Sequence, residues 1–335
     1  MLDRPIPTSA HPLEGYFKHV LVDLGVVEDP KFAGVLSPSP EVGAPREGVD
    51  HVFLADAEDY YRRYQGFEYW RMLIERAVAD LGLARPELIV EFGCGFGNAT
   101  LPALDLFPDA RVIATDISPN LLAILNRLLA ARGLGDRCLP AAMDAQKDYI
   151  SEDSADLVIG AAILHHLVDP GVFVRRAMSI LKPGGAAIFF EPMEGGNAIL
   201  RIICQDIAAE ARRRNVKNRT LQWLAEIPAQ LEPQIVREGW PGWRSLNDKW
   251  AFPRSMLAQL AKDAGARLEI FPLHDNQRQF RRQISYMLTT YGQMQETDLP
   301  DWAWEIVRRF DEDAFSPEMR TDLAIEACIA FVRER

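Results

Sequence analysis

Leu88-Ile-Val-Glu-Phe-Gly-Cys-Gly-Phe-Gly-Asn-Ala-Thr100 decides the fold: a short apolar run breaks into alternating glycines and then resumes as a helix. That order predicts a buried strand, a tight turn and a helix N-terminus. Glycine admits backbone conformations closed to other residues, and the free N–H groups at a helix start attract polar ligands. The rest of the chain is read for whether it supports a small polar ligand at this turn.

Outward from the turn, between residue 87 and about 191, strand-like and helix-like segments alternate with short connections. Strands are expected at 87–92, 110–115, 137–142, 155–161 and 186–191, with helices at 100–106, 120–132 and 172–181. Parallel strands need crossover connections, so this alternation predicts a parallel sheet covered on both faces. Ligands of such sheets sit outside the carboxyl ends of the strands, where strand order reverses. Upstream, residues 56–83 read as helical, with Tyr60, Tyr64, Phe67, Met72, Ile74, Val78 and Leu81 at helix-like spacings and Gly82 as a stop. The run Tyr60 to Tyr64 is either an aromatic face packed on a core or a cover over the ligand. Residues 1–50 are punctuated by prolines and read as an arm or lid. Downstream of Glu191 lie charged helical stretches, a helix near 252–264 running into a strand at 267–272, a helical block at 277–322 and a closing strand at 326–332. Six of the seven tryptophans fall beyond residue 220, where an acceptor-binding wall is expected.

The glycine spacing narrows the ligand. A dinucleotide fingerprint counted from Gly93 would place glycine at 98, where this chain has Asn98, and its glycines instead alternate at 93, 95 and 97 behind Glu91. That pattern resembles motif I of the class I S-adenosylmethionine-dependent methyltransferases, small-molecule type. Further segments resemble the family in the right order: Ile113-Ala-Thr-Asp-Ile-Ser-Pro119, Ala142-Met-Asp-Ala145, Asp156-Leu-Val-Ile-Gly-Ala-Ala-Ile-Leu-His-His-Leu167 and Leu181-Lys-Pro-Gly-Gly185.

The resemblance implies an α/β fold, a Rossmann-like, doubly wound, mostly parallel seven-stranded sheet with helical insertions. It also implies roles. Glu91, Gly93, Gly95 and Gly97 would hold the methionine moiety, and Asp116 the ribose hydroxyls. Ile117 would flank the adenine, Asp144 beside Ala145 would accept from its amino group, and Ala161 would line the pocket near the sulfonium. Tyr64 and Arg62 are candidates to close over the cofactor. His165 and His166 stand where a general base for a hydroxyl acceptor would be, His166 being the favoured one; either could instead cap the following helix. Three divisions are expected: an N-terminal arm over 1–58, a cofactor-binding core over 59–194, and acceptor-binding insertions with the last two strands over 195–335.

Composition bounds the acceptor. The net charge of -11 disfavours a nucleic-acid backbone or an anionic membrane surface as partner. Four widely spaced cysteines suggest neither a disulfide framework nor a metal site, and no apolar run is long enough to span a bilayer. A cytoplasmic setting is the expectation, with no metal, and a homodimer is left open as the assembly. Neither an Asn/Asp-Pro-Pro-Tyr/Phe motif nor a Pro-Cys nucleophile is present, which leaves a small-molecule acceptor methylated on oxygen, or next on nitrogen. The arginines Arg212, Arg213, Arg214, Arg219, Arg278, Arg281 and Arg282, with Lys217, could recognise an acceptor's carboxylate or phosphate, or simply form solvated helix faces. The rival readings are a catalytically silent cofactor-binding subunit and transfer of another group on the same fold.

Overall fold

The computed structural model describes residues 11–38, 56–273 and 277–335. Their strands form one sheet in the order β1-β2-β5-β4-β3-β6-β7-β9-β8. The strands are β1 (Val22–Asp23), β2 (Leu36–Ser37), β3 (Leu88–Phe92), β4 (Arg111–Asp116), β5 (Cys138–Ala142), β6 (Ala155–Ala161), β7 (Leu181–Pro192), β8 (Arg267–Pro272) and β9 (Glu326–Val332). Among the described residues the sheet therefore has nine strands where seven were expected. The two extra ones are two-residue strands of the N-terminal segment. They form an antiparallel pair, and β2 joins the edge at β5 through Leu36 and Ala141. Pairs this short leave no period in the sequence.

From β3 to β7 the pairing is parallel, and β9 runs antiparallel between β7 and β8. Order reverses beside β3, with β4 on one side and β6 on the other, so the glycine turn leaves the sheet at its switch point. The segment Leu181 to Gly185, expected as a turn, is a bulge inside β7: Ala155 pairs with Leu181, and the ladder resumes at Leu157 with Ala186.

Helix ends follow local chemistry. Helix α1 spans Ala57–Tyr64, α2 Phe67–Asp80, α3 Thr100–Leu106, α4 Pro119–Arg132 and α5 Pro170–Ile180. Ser118 caps α4 by accepting from Leu121 N, Pro119 opens it, and Gly133 ends it at φ +66°. Asp169 caps α5 in the same way, accepting from Val172 N. Residues 56–83 form two helices rather than one, because the chain breaks at Gln65 and Gly66.

Side chains alternate across the sheet. Val90, Phe92, Val158 and Phe189 pack with Phe173 and Val174 of α5 on one face. Ile89, Val112, Ile159 and Ile188 pack with α2, α3 and α4 through Ile74, Leu101 and Leu125 on the other. Each such side chain contributes about 1.5–3 kcal/mol on burial. Four later helices, α6 (Glu194–Arg213), α7 (Arg219–Val236), α9 (Gln279–Tyr286) and α10 (Asp301–Arg308), build a separate apolar cluster around Ile207, Leu224, Phe280 and Val307. Helix α8 (Arg254–Asp263) returns the chain to the sheet. No helix among the described residues is long and apolar enough to cross a membrane, and all four cysteines are free and buried.

Candidate active site

After β3 the chain passes Gly93, Gly95 and Gly97 at φ of +66°, +54° and +95°, a region that disfavours any residue with a Cβ. Only one of the three opens on free space. A Cβ at Gly93 would lie 2.8 Å from Ile163 Cδ1, and one at Gly97 2.5 Å from Leu125 Cδ1, whereas at Gly95 the nearest atom, Leu121 Cδ1, is 4.0 Å away. Gly93 and Gly97 thus serve backbone conformation and close packing. Gly95 leaves room for a ligand.

Two carboxylates flank the turn. Asp116, at the end of β4, accepts from Gly95 N and Ser118 N, both at 2.8 Å, which fastens the turn and leaves lone pairs on each oxygen. Burial pushes its carboxyl above the usual range, against the pull of these donors. Ile117 follows it, half-buried. Asp144, after β5, accepts from Gln146 N at 3.0 Å, and its neighbour Met143 donates to Asp116 O at 2.9 Å, so one backbone bond links the two acidic loops. Ala145 and Ala161 are partly buried against the two sheet cores. Glu91 lies beneath the turn, 1% exposed, with Oε2 accepting from Thr100 Oγ1 at 2.5 Å. Burial pushes it up to about 8, partly opposed by the Thr100 bond and reinforced by the charge of Asp116.

Asn98, the residue that breaks the dinucleotide spacing, ties the upstream helices to the turn. Its Oδ1 accepts from Gly66 N at 3.0 Å and its Nδ2 donates to Tyr64 O at 2.8 Å. Tyr60, Tyr61 and Phe67 set their edges on Phe96 at 5.8, 5.1 and 6.3 Å, and Tyr64 stacks obliquely on Tyr60 at 4.8 Å. The tyrosine run is therefore a packed face that also covers the turn. Arg62 is not brought there: it points to solvent and pairs with Asp59 at 3.1 Å, one helical turn away.

The histidine pair sits beyond β6, after Ala162 in a left-handed conformation at φ +60° and within the short turn Leu164–His166. Glu191, 1% exposed at the end of β7, organises that turn. Its Oε1 accepts from Ile163 N at 2.9 Å and Leu164 N at 2.7 Å; its Oε2 accepts from His165 N at 3.3 Å and lies 2.6 Å from His165 Nδ1. Burial works to lower the pKa of His165, but the carboxylates of Glu191, Asp248 and Glu326 more than reverse this and raise it.

His166 Nδ1 lies 3.1 Å from Asn247 O and 3.3 Å from Asp248 Oδ1. Both partners are acceptors, so a hydrogen sits on Nδ1 and Nε2 is the nitrogen left facing away from them. Asp248 Oδ1 is also 3.6 Å from His165 Nε2. Burial would raise the Asp248 carboxyl, but the His166 bond and the neighbouring positive charges hold it below the usual range. The segment carrying Asp248 is stitched to the histidine turn. Lys249 N donates to His165 O at 2.7 Å, Lys249 Nζ to His166 O at 2.9 Å and Leu246 O at 2.6 Å, and Trp250 Nε1 to Leu167 O at 2.7 Å.

Asp248 and Glu191 were not singled out from sequence. Glu191 carried a readable sign, an acid ending an apolar strand; Asp248, one acid in a loop, carried none. His165, His166 and Asp248 bring possible metal-ligating atoms within 4.8 Å of one another, although no metal set was expected. Both Nδ1 atoms already face oxygen acceptors there. Four of the downstream arginines form ion pairs within the cap: Arg213 and Arg214 with Glu210, Arg278 with Glu312, and Arg281 with Glu296.

A doubly wound sheet with a glycine turn at its switch point, flanked by two strand-end carboxylates, defines a Rossmann-like nucleoside-binding core. Residues 90–187 match the family model of a methyltransferase domain. The chain therefore carries a class I S-adenosylmethionine-dependent methyltransferase domain, and S-adenosylmethionine is the cofactor of that class. Over 32% of its length the chain is 35% identical to a trans-aconitate 2-methyltransferase of Methylobacterium radiotolerans, spanning 39% of that protein. Over 30% of its length it is 28% identical to a sterol 4-C-methyltransferase of Caenorhabditis elegans, spanning 30% of that protein. A solved structure of Haemonchus contortus phosphoethanolamine N-methyltransferase 2, in complex with phosphomonomethylethanolamine and S-adenosylhomocysteine, shares the fold. It superimposes with a TM-score of 0.52 at 13% identity, covering 95% of this chain and 68% of that one.

Proposed function

We propose that the chain transfers the methyl group of S-adenosylmethionine to a nucleophilic atom of a small-molecule acceptor by in-line displacement. When bound, the cofactor supplies an activated methyl on a positively charged sulfur, so the protein's work is to align the acceptor, exclude water and take up a proton. Gly95 gives backbone room beside the methionine end, with Gly93 and Gly97 shaping the turn. Asp116 has lone pairs left for the ribose hydroxyls, and Asp144 for the adenine amino group, with Ile117 and Ala145 beside the ring. Ala161 lines the pocket, and Tyr64 closes it from α1. Glu91 acts from below, through Thr100 and the turn rather than by contact. The core over 59–194 holds the donor, and the cap within 195–335 encloses the acceptor.

His166 Nε2 is the proton acceptor, with Asp248 fixing its tautomer and Glu191 holding its neighbour His165. A single observation carries the joining of the two ends. Gly93 packs so closely on Ile163 that a Cβ would meet it at 2.8 Å, so the donor turn and the histidine turn abut across β3 and β6.

Calorimetry with S-adenosylmethionine and S-adenosylhomocysteine, followed by a labelled-methyl assay against metabolite pools, tests the reading. Binding of both and label transfer into a small molecule are expected. Binding without transfer would favour a silent subunit, and His166→Ala with unchanged turnover at every pH would remove His166 from its role.

A further inference from the structure

The acceptor end of the site has a sign. Three acids meet it: Glu191 at a strand end, Asp248 on the strap beside the histidines, and Glu326 at the start of β9. Glu326 pairs in register with Pro192, one position beyond Glu191, so it stands at the same edge of the sheet as the histidine turn. Two of the three are occupied by backbone amides or histidines. Among the described residues Glu326 has no side-chain hydrogen bond or ion pair; burial and the charge of Glu191 push its carboxyl up, and only His165 opposes them. Two cations come near without an ion pair to Glu326. Lys249 is fully buried with its ammonium turned to two carbonyl oxygens, and Arg282 acts on Tyr69 from the cap.

Tyrosines of the N-terminal helices and of the cap stand near these acids. Tyr60 and Tyr64 come from α1 and Tyr69 from α2, while Tyr286 and Tyr291 come from the end of α9, where it widens into a π turn over Met287–Tyr291. Tyr286 and Tyr291 meet edge to face at 5.5 Å, yet are 47% and 56% exposed. Burial raises the Tyr60 phenol to about 12, with the charges of Asp116 and Asp248 adding to it. Burial likewise raises Tyr69, with Glu326 adding. Beyond burial, the carboxylates act with one sign on these phenols and on His165, and that negative charge favours a cation beside them.

We propose that the acceptor is a small alkylammonium, recognised by the unpaired Glu326 carboxylate and by the ring faces of Tyr60, Tyr64, Tyr286 and Tyr291. This rests on the methyltransferase reading above and names its substrate class, selecting nitrogen over the oxygen that the sequence favoured. Ring quadrupoles attract ammonium groups, and an arriving cation supplies the ionic partner that Glu326 lacks. The ammonium gives one proton to His166 Nε2, and the freed nitrogen lone pair forms the bond to the methyl carbon as the carbon–sulfur bond breaks. Sulfur keeps that electron pair, leaving neutral S-adenosylhomocysteine and a methylated ammonium, and the imidazolium returns its proton to solvent.

The test titrates the full chain, saturated with S-adenosylhomocysteine, with methylammonium, tetramethylammonium, choline and the uncharged choline isostere 3,3-dimethyl-1-butanol, followed by calorimetry and intrinsic fluorescence. At least one cation should bind ten-fold or more tightly than the isostere. Glu326→Gln should erase that preference, and Tyr291→Ala should weaken cation binding three- to ten-fold, each leaving S-adenosylhomocysteine affinity unchanged. Normal S-adenosylhomocysteine binding with no preference for any cation, or a preference that survives Glu326→Gln, overturns this inference alone. Failure to bind S-adenosylhomocysteine overturns the methyltransferase reading, and this inference with it.

Discussion

Replacing Gly97 and Gly95 by alanine, one at a time, separates packing from ligand access within one turn. At Gly97 the φ of +95° lies outside even the left-handed well, so a Cβ there costs about 1–2 kcal/mol in backbone strain. The new methyl would also lie 2.5 Å from Leu125 Cδ1, inside a core whose overpacking costs a further ~1–3 kcal/mol. Gly97→Ala should therefore lose roughly 2–5 kcal/mol of stability, while the folded fraction keeps its S-adenosylhomocysteine affinity within about three-fold. At Gly95 the φ of +54° is within the well and nothing is closer than 4.0 Å. Gly95→Ala should lose only ~1–2 kcal/mol, yet bind at least about ten-fold more weakly, since its methyl projects into the space the ligand needs. Urea denaturation read by fluorescence gives the first quantity and calorimetry the second. Leu125→Ala added to Gly97→Ala should cost less than the sum of the two single changes, because they share one contact. Equal destabilisation by the two glycine substitutions, or wild-type binding by Gly95→Ala, would refute the division of labour.

Three further outcomes are expected. Glu91 holds its proton up to about 8 when folded but releases it near the ordinary value of 4.5 when unfolded, so its contribution is complete below pH 4.5 and lost as pH rises through 8. Glu91→Gln, which stays neutral, should gain on wild type by on the order of 3–5 kcal/mol between pH 5 and 9, read as the difference in unfolding free energy at the two pH values. Glu191→Gln places an amide where three backbone N–H groups and an imidazole converge, and should cost roughly 2–4 kcal/mol in a urea titration; a loss below 1 kcal/mol would mean that the turn does not depend on that carboxylate. Asp116→Asn keeps the shape but exchanges one acceptor oxygen for a donor that opposes Gly95 N or Ser118 N, and should weaken S-adenosylhomocysteine binding by about ten- to a hundred-fold in calorimetry.

The donor half of the site was readable because its determinants are local. A glycine that must take φ above zero and an acid ending an apolar strand each act on backbone within a few residues, so Gly93, Gly97 and Asp116 announce themselves in one dimension. The strands from β3 to β9 were readable for the same reason, since their apolar runs end at turn signals. The strand pair β1 and β2 was not, being stabilised by the edge of β5 rather than by its own pattern. Glu91 was located but its circumstance was not: that it faces Thr100 in a dry space follows from α3 closing over β3.

The acceptor half depends on residues that acquire meaning only when distant segments meet. Asp248 becomes a partner of His166 because Lys249 and Trp250 pin its loop to carbonyls of the histidine turn. Glu326 is an acid opening a strand until antiparallel pairing sets it beside Pro192. The contrast has an evolutionary corollary in physical terms. Changes at Gly93, Gly97 or Glu191 disturb the backbone on which the donor rests, whereas changes at exposed or unpaired side chains such as Glu326, Tyr286 and Tyr291 leave buried hydrogen bonds intact. In the proposed reading, acceptor identity is therefore to be sought among side chains that the fold itself does not require.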